Sequence, residues 1–255
     1  MQELYAGYSW NRTRRRLCSA ALSLGTLSWM LKGFATDAVP VMPKEVAGVS
    51  IPRSPAAIRA AAYARQSCPD YLFNHCMRTF LIGALSMRRQ SLSYNSEDAF
   101  IAAALHDLGL LPAFASKSQS FEIDGADVAE KLTRDDGLSA EEADRVWRAI
   151  AFHDARFVIA RRGGPEAMLV ALGAGGDVDG PGPDTDVDKK QLAEVLAAFP
   201  RLKFKNRFTL LLIDHCKRKP TSQRGTWLEG LCREEVPGAW TDTVEKEIMA
   251  APYDE

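Results

Sequence analysis

The sequence predicts an all-α fold, a single helical bundle, on three observations. Apolar residues recur at helical spacing in segment after segment, helix-starting residues precede most of those segments, and no convincing alternation of apolar and polar residues marks a strand. Its 255 residues are 46% hydrophobic and 25% charged, which excludes a disordered chain, a collagen-like repeat and a multi-span membrane protein.

The amino terminus differs from the rest. Asn11 to Arg16 carries four arginines, a weakly apolar run follows from Leu17 to Leu31, and Lys32-Gly33-Phe34-Ala35 closes it, in the order of a signal peptide's regions. A bilayer span wants about 20 apolar residues, and Ser19, Ser23, Gly25, Thr26 and Ser28 dilute this run, so no stable membrane anchor is expected. Thr13-Arg14-Arg15-Arg16-Leu17 resembles a twin-arginine export signal, a route taken by folded proteins. Residues 1–35 therefore read as a signal-like segment of an exported, periplasmic protein. The alternatives are a first helix packed on a cytoplasmic protein and a mitochondrial presequence. Residues 36–255 read as a single domain.

The helices follow in order. Ser54 caps a first helix to Gln66, with Pro55 in its first turn. Pro69 opens a longer one whose Tyr71, Leu72, Phe73, Met77, Phe80, Leu81 and Leu85 share an apolar face. Asn95-Ser96-Glu97-Asp98 starts a third, with side-chain oxygens for the free amides and acids at the positive end, and Gly109 is read as its stop. Glu122 and Asp124 lead into a helix through Gly125. Ser139-Ala140-Glu141-Glu142 is a capping box before Val146, Trp147, Ile150 and Ala151. Further helices are predicted at Glu166 to Leu172, Asp188 to Ala198, Phe204 to Lys217 and Thr241 to Ala250, with Gly173 to Asp188 as a loop.

Thirty-two basic residues against 33 acidic ones give a net charge of −1 and no electrostatic case for nucleic acid, so the partner is a small molecule; a homo-oligomer is left open. Five cysteines without a C-x-x-C pair indicate neither a zinc knuckle nor a disulfide-dense scaffold. Phosphate-loop, dinucleotide and nucleophile-elbow motifs are missing from the sequence.

Chemistry concentrates in the histidines: His75, His106, His153 and His215. His106 ends an apolar run and is followed at once by Asp107, in a stretch with no basic residue to neutralise a buried carboxylate. Imidazole with carboxylate oxygen is a usual ligand set for zinc, iron or manganese. Asp177, after Leu172-Gly173-Ala174-Gly175-Gly176, is a further candidate ligand, because the glycines let the backbone approach another group. Cys76 points about 100° from His75 on the same helix and reads as packing. His215 reads as surface, and Trp227 and Trp240 as packing.

This set resembles the HD superfamily of metal-dependent hydrolases, whose signature is a histidine, a later His-Asp pair and a final aspartate; those positions here are His75, His106 with Asp107, and Asp177. The text from roughly Ile51 to Arg218 is similar to the cyanamide hydratase group in Phe73-Asn74-His75-Cys76-Met77-Arg78, Ala102 to Leu110, Phe121 to Ala126, Trp147 to His153 and Leu172 to Val178. Asp154 departs from that pattern, and the signal-like start is foreign to it. The resemblance implies an HD-domain helical bundle and one divalent transition metal on His75, His106, Asp107 and Asp177, zinc first and iron or manganese next. It implies Asp107, Glu122 and His153 as catalytic groups in the hydration of a small nitrile such as cyanamide to urea. The alternative is phosphohydrolysis of a nucleotide or other phosphate ester, with Arg78, Arg161 or Arg162 meeting the phosphate.

Overall fold

A computed structural model describes residues 42–155, 162–180, 182, 185, 187–240 and 244–252. The predicted signal-like segment and Arg161 lie outside them. The described part opens with a short antiparallel hairpin, β1 (Glu45–Val46) and β2 (Val49–Ser50), in which Val46 pairs with Val49. The remainder is helical: α1 (Pro55–Ser67), α2 (Asp70–Arg89), α3 (Ser96–Leu105), α4 (Phe121–Asp135), α5 (Ala140–Ala151), α6 (Pro165–Val178), α7 (Lys189–Ala198), α8 (Phe204–Arg218), α9 (Glu229–Glu235) and α10 (Val244–Met249). The fold class is all-α, as the periodicity predicts. No helix among the described residues is long and apolar enough to cross a membrane.

The start signals act as the sequence implies. Ser54 accepts from the Ala57 amide, Asn95 from those of Glu97 and Asp98, and Ser139 with Glu142 completes the capping box. Helix α2 forms the centre of the bundle: from Tyr71 to Met87 all but Asn74 are buried. Its main partner is α6, and the two approach without side chains between them. A Cβ on Gly173 would fall 1.8 Å from the Thr79 carbonyl oxygen, and one on Gly83 would fall 2.3 Å from that of Leu169. The two contacts are four residues apart on each helix and run in opposite senses. One turn further along this antiparallel register, His75 faces Asp177.

Residues Gly173 to Val178 are helix and not loop, and Gly173 serves that close approach rather than a turn. Gly109 does not stop α3, which ends at Leu105; it lies in a 3₁₀ turn (Leu108–Leu110), where a Cβ would meet the Phe121 carbonyl oxygen at 2.0 Å. Helix α9 was not foreseen. His215 is fully buried rather than on the surface, bonded to Gln223 at 3.0 Å, beside a disulfide from Cys216 on α8 to Cys232 on α9. Asp124 does more than face a helix's positive end: buried Lys219 donates to its carboxylate and ties α8 to α4.

Two measurements probe this packing. Gly173→Ala should destabilise the fold by about 3 kcal/mol, because backbone has to move on one helix. Thermal unfolding should then come about 6–12 °C earlier, and an unchanged midpoint would mean that the helices are not this close. Burial, with Arg218 and Lys219 alongside, lowers the His215 pKa from its usual 6.5 to about 4, partly offset by Asp124 and Asp214. That stabilisation is complete above pH 6.5 and lost as pH falls from 6.5 towards 4, where the unfolded chain takes up a proton that the folded one resists. Denaturant midpoints should fall over this window in the wild type and fall less in His215→Phe.

Candidate metal centre

His75 sits in the first half of α2, with its ring stacked on Phe204 at a centroid distance of 4.7 Å. His106 and Asp107 follow α3 directly. Neighbours within a helix point about 100° apart, but the helix ends at Leu105, and Asp107 takes φ −97 and ψ 6. That break lets consecutive side chains converge. His75 Nε2 and His106 Nε2 each lie 3.4 Å from Asp107 Oδ2, and ligand atoms from all three residues lie within 4.8 Å of one another.

Hydrogen bonds fix which nitrogen of each ring is free. The His106 Nδ1–H donates to the Ala103 carbonyl at 2.9 Å, and the His75 Nδ1–H donates to Asp177 Oδ2 at 2.7 Å. Both Nε2 atoms therefore present lone pairs to the site. His106 Nε2 and Asp107 Oδ2 are buried with no hydrogen-bond partner. Burial holds the His106 pKa well below the usual value, with His153 and His75 adding to the effect, so its imidazole is neutral; burial also raises that of the Asp107 carboxyl. Three converging lone pairs without a proton between them would repel one another. A divalent cation resolves this, and the donor set of two imidazoles and one carboxylate fits zinc, iron or manganese.

Asp177 stands behind His75 and outside that group. It accepts four bonds from side chains: His75 Nδ1 and Arg78 Nη2 on Oδ2, each at 2.7 Å, and Arg78 Nε at 2.8 Å and Arg201 Nη1 at 2.7 Å on Oδ1. Burial opposes its charge, but the bonds from His75 and Arg78 hold the carboxyl well below the usual carboxylate range. Its lone pairs are used, and in this arrangement it orients His75 rather than joining the three donor atoms. Arg78, a candidate phosphate group, is fully buried and spent on Asp177 and on the Phe199 and Pro200 carbonyls.

His153 lies just past the end of α5, edge-on to His106 at 4.9 Å. Its Nδ1–H donates to the Ile150 carbonyl at 2.6 Å and its Nε2 lies 3.2 Å from Asp154 Oδ2. Burial works against its charge, yet Asp154 raises its pKa to about 9. Glu122, in the first turn of α4, is buried with both carboxylate oxygens unpartnered, and burial next to Asp154 pushes it up to about 7.

A cavity of about 170 Å³ opens on the centre. His75, His106, Asp107 and His153 form its floor, and Phe121, Phe208, Ala171, Ala174, Gly175, Val178, Asp154, Asp179 and Trp227 complete the wall. Glu122 is not on the wall, although its neighbour Phe121 is. Sequence reasoning missed Asp154, Asp179, Phe208 and Trp227 as wall residues; only Asp154 carried a signal, as a charge beside His153. Trp227, expected in packing, is 42% exposed at the mouth, while Trp240 is buried as expected.

The family model for the HD domain matches residues 72–191, from α2 into α7, and so covers His75, His106, Asp107, Glu122, His153 and Asp177. Together with the helical architecture, this match supports an all-α bundle of the HD-domain type. No curated protein matches the chain.

His106→Ala and Asp107→Ala should both lose bound metal to background levels in elemental analysis. Asp177→Asn should keep it with an affinity weakened about 10–100-fold, the usual effect of removing a group that orients a ligand. The same change strips buried Arg78 of its counter-charge and should cost about 3–5 kcal/mol of stability. Complete metal loss in Asp177→Asn with unaltered stability would instead make Asp177 a ligand.

Proposed function

We propose that this HD-domain chain is a metal-dependent hydratase that adds water to a small uncharged substrate, a nitrile such as cyanamide, giving urea. The observation that carries the reading is the cavity wall: among the described residues it contains no Lys or Arg, and it carries Asp154 and Asp179 as well as Asp107. A phosphate ester would enter against those charges with no cation among the described wall residues to meet it. Arg78 is spent, and Arg162 is exposed and off the wall.

A divalent cation on His75, His106 and Asp107, zinc foremost with iron or manganese next, supplies Lewis acidity and lowers the pKa of water. The chain does the rest. Asp177, locked by Arg78 and Arg201, keeps the His75 ring turned so that Nε2 faces the cavity. Phe121, Phe208, Ala171 and Ala174 leave room for a substrate of few atoms and restrict bulk water. In the addition one C–O bond forms and one C–N π bond breaks. The nitrogen takes a proton from His153 Nε2–H, and the attacking water's proton restores His153, so the step balances. The resulting isourea tautomerises to urea. Glu122, buried beside Asp154 and holding its proton up to about pH 7, is the second candidate proton donor.

We also propose that residues 1–35 direct export of the folded protein. The Cys216–Cys232 disulfide supports this, since such bonds persist in oxidising compartments. Replacing Arg14 and Arg15 by Lys should retain the protein in the cytoplasm, and unchanged export would refute the assignment.

Purified, metal-loaded protein should release urea from cyanamide and no phosphate from a nucleotide panel; the reverse result would overturn the reading in favour of a phosphohydrolase. His153→Ala and Glu122→Gln should keep the metal and lower turnover about 10²–10⁴-fold, the range for losing a general acid or base. Wild-type rates in both would make them structural.

A further inference from the structure

One large side chain lines the cavity and yet stays exposed to solvent. Trp227 is 42% exposed, yet it lines the cavity, and its indole N–H donates to the Asp154 carboxylate on the opposite segment. The oxygen that receives it, Asp154 Oδ2, is the one facing His153 Nε2 at 3.2 Å. A single carboxylate oxygen thus joins the residue at the mouth to the residue on the floor.

The segment that presents Trp227 is unusually well fastened. Residues 219–228 join α8 to α9, and the Cys216–Cys232 disulfide closes this connection at its base, across a sequence separation of 16. Lys219 is anchored on Asp124 at one end, and Leu228 is buried at the other. Between them buried Gln223 bonds His215, and the Thr226 hydroxyl donates to the Gln223 side chain at 2.8 Å. The connection has no regular secondary structure to hold it, so these bonds and the disulfide set where Trp227 stands.

We infer that Trp227, held by Asp154 and by the disulfide-closed connection, is the specificity-determining residue of this site, a bar across the mouth that admits small substrates and keeps larger ones from the metal centre. The inference rests on the reading of the centre as a hydratase only for its choice of substrates. A rigid indole suits the task, because it covers much area with two rotatable bonds, and its polar edge is satisfied by Asp154 and not left unpaired. The disulfide adds a condition: reducing Cys216 and Cys232 loosens the bar, because one of its fastenings is lost.

The test uses the zinc-loaded full chain and two readouts. The first compares hydration of cyanamide with that of benzonitrile in wild type, Trp227→Phe and Trp227→Ala. Trp227→Ala should raise kcat/KM for benzonitrile at least tenfold relative to cyanamide, and Trp227→Phe, which keeps most of the bulk, should change the ratio less than threefold. The second follows zinc removal by a bulky chelator and needs no turnover. Removal should be about tenfold faster in Trp227→Ala and in wild type treated with a phosphine reductant, circular dichroism showing the helices intact. If the wild type hydrates neither nitrile, the hydratase reading fails and the chelator rates alone decide the role of Trp227. An unchanged selectivity ratio, or unchanged chelator rates where no nitrile is turned over, overturns it.

Discussion

The approach of α2 and α6 is the constraint on which the rest depends. At Gly83 and Gly173 the helix backbones lie where a Cβ would collide with a carbonyl oxygen, and this contact fixes the antiparallel register. The register sets His75 against Asp177, Asp177 turns the His75 ring, and the ring's remaining nitrogen then meets His106 and Asp107. A longer side chain at either glycine would separate the helices, and His75 Nδ1 would lose the carboxylate that decides its tautomer.

Around that contact the bundle sorts its charges by task. Arg78 and Arg201 converge on Asp177 and neutralise it, so a carboxylate is carried into the core as part of a clamp. Asp107 has no such partner, and the imidazoles beside it cannot donate to it, since their protons are committed elsewhere. Two buried aspartates thus meet opposite fates: one is saturated by arginine and the other keeps an oxygen without a hydrogen-bond partner. Glu122 is a third case, kept protonated to about pH 7 by burial beside Asp154.

Much of this was legible in the sequence. The helical spacing, the caps at Ser54, Asn95 and Ser139, and the His-Asp pair at the end of an apolar run all carry their meaning locally. The errors came where meaning is tertiary. Glycines at 173, 175 and 176 read as a loop because composition cannot distinguish a turn from a place where two helices touch. Asp177 could be recognised as a carboxylate near the centre, but Arg201, which completes its saturation, lies 24 residues away in sequence. His215 looked like surface beside a basic run, but its partners Phe121 and Gln223 come from other segments of the chain. Trp227 gave no local signal, because the partner that holds it at the cavity, Asp154, lies 73 residues away in sequence.

The assignment of His75, His106 and Asp107 to a cation site, with Asp177 as the clamp behind it, is open to direct test. The most direct measurement is anomalous diffraction at the zinc edge from crystals of the zinc-loaded protein. One peak is expected within bonding distance of His75 Nε2, His106 Nε2 and an Asp107 oxygen, with the Asp177 carboxylate still bonded to Arg78. A peak bonded to Asp177, with Arg78 displaced from it, or no peak between the two histidines, would contradict it.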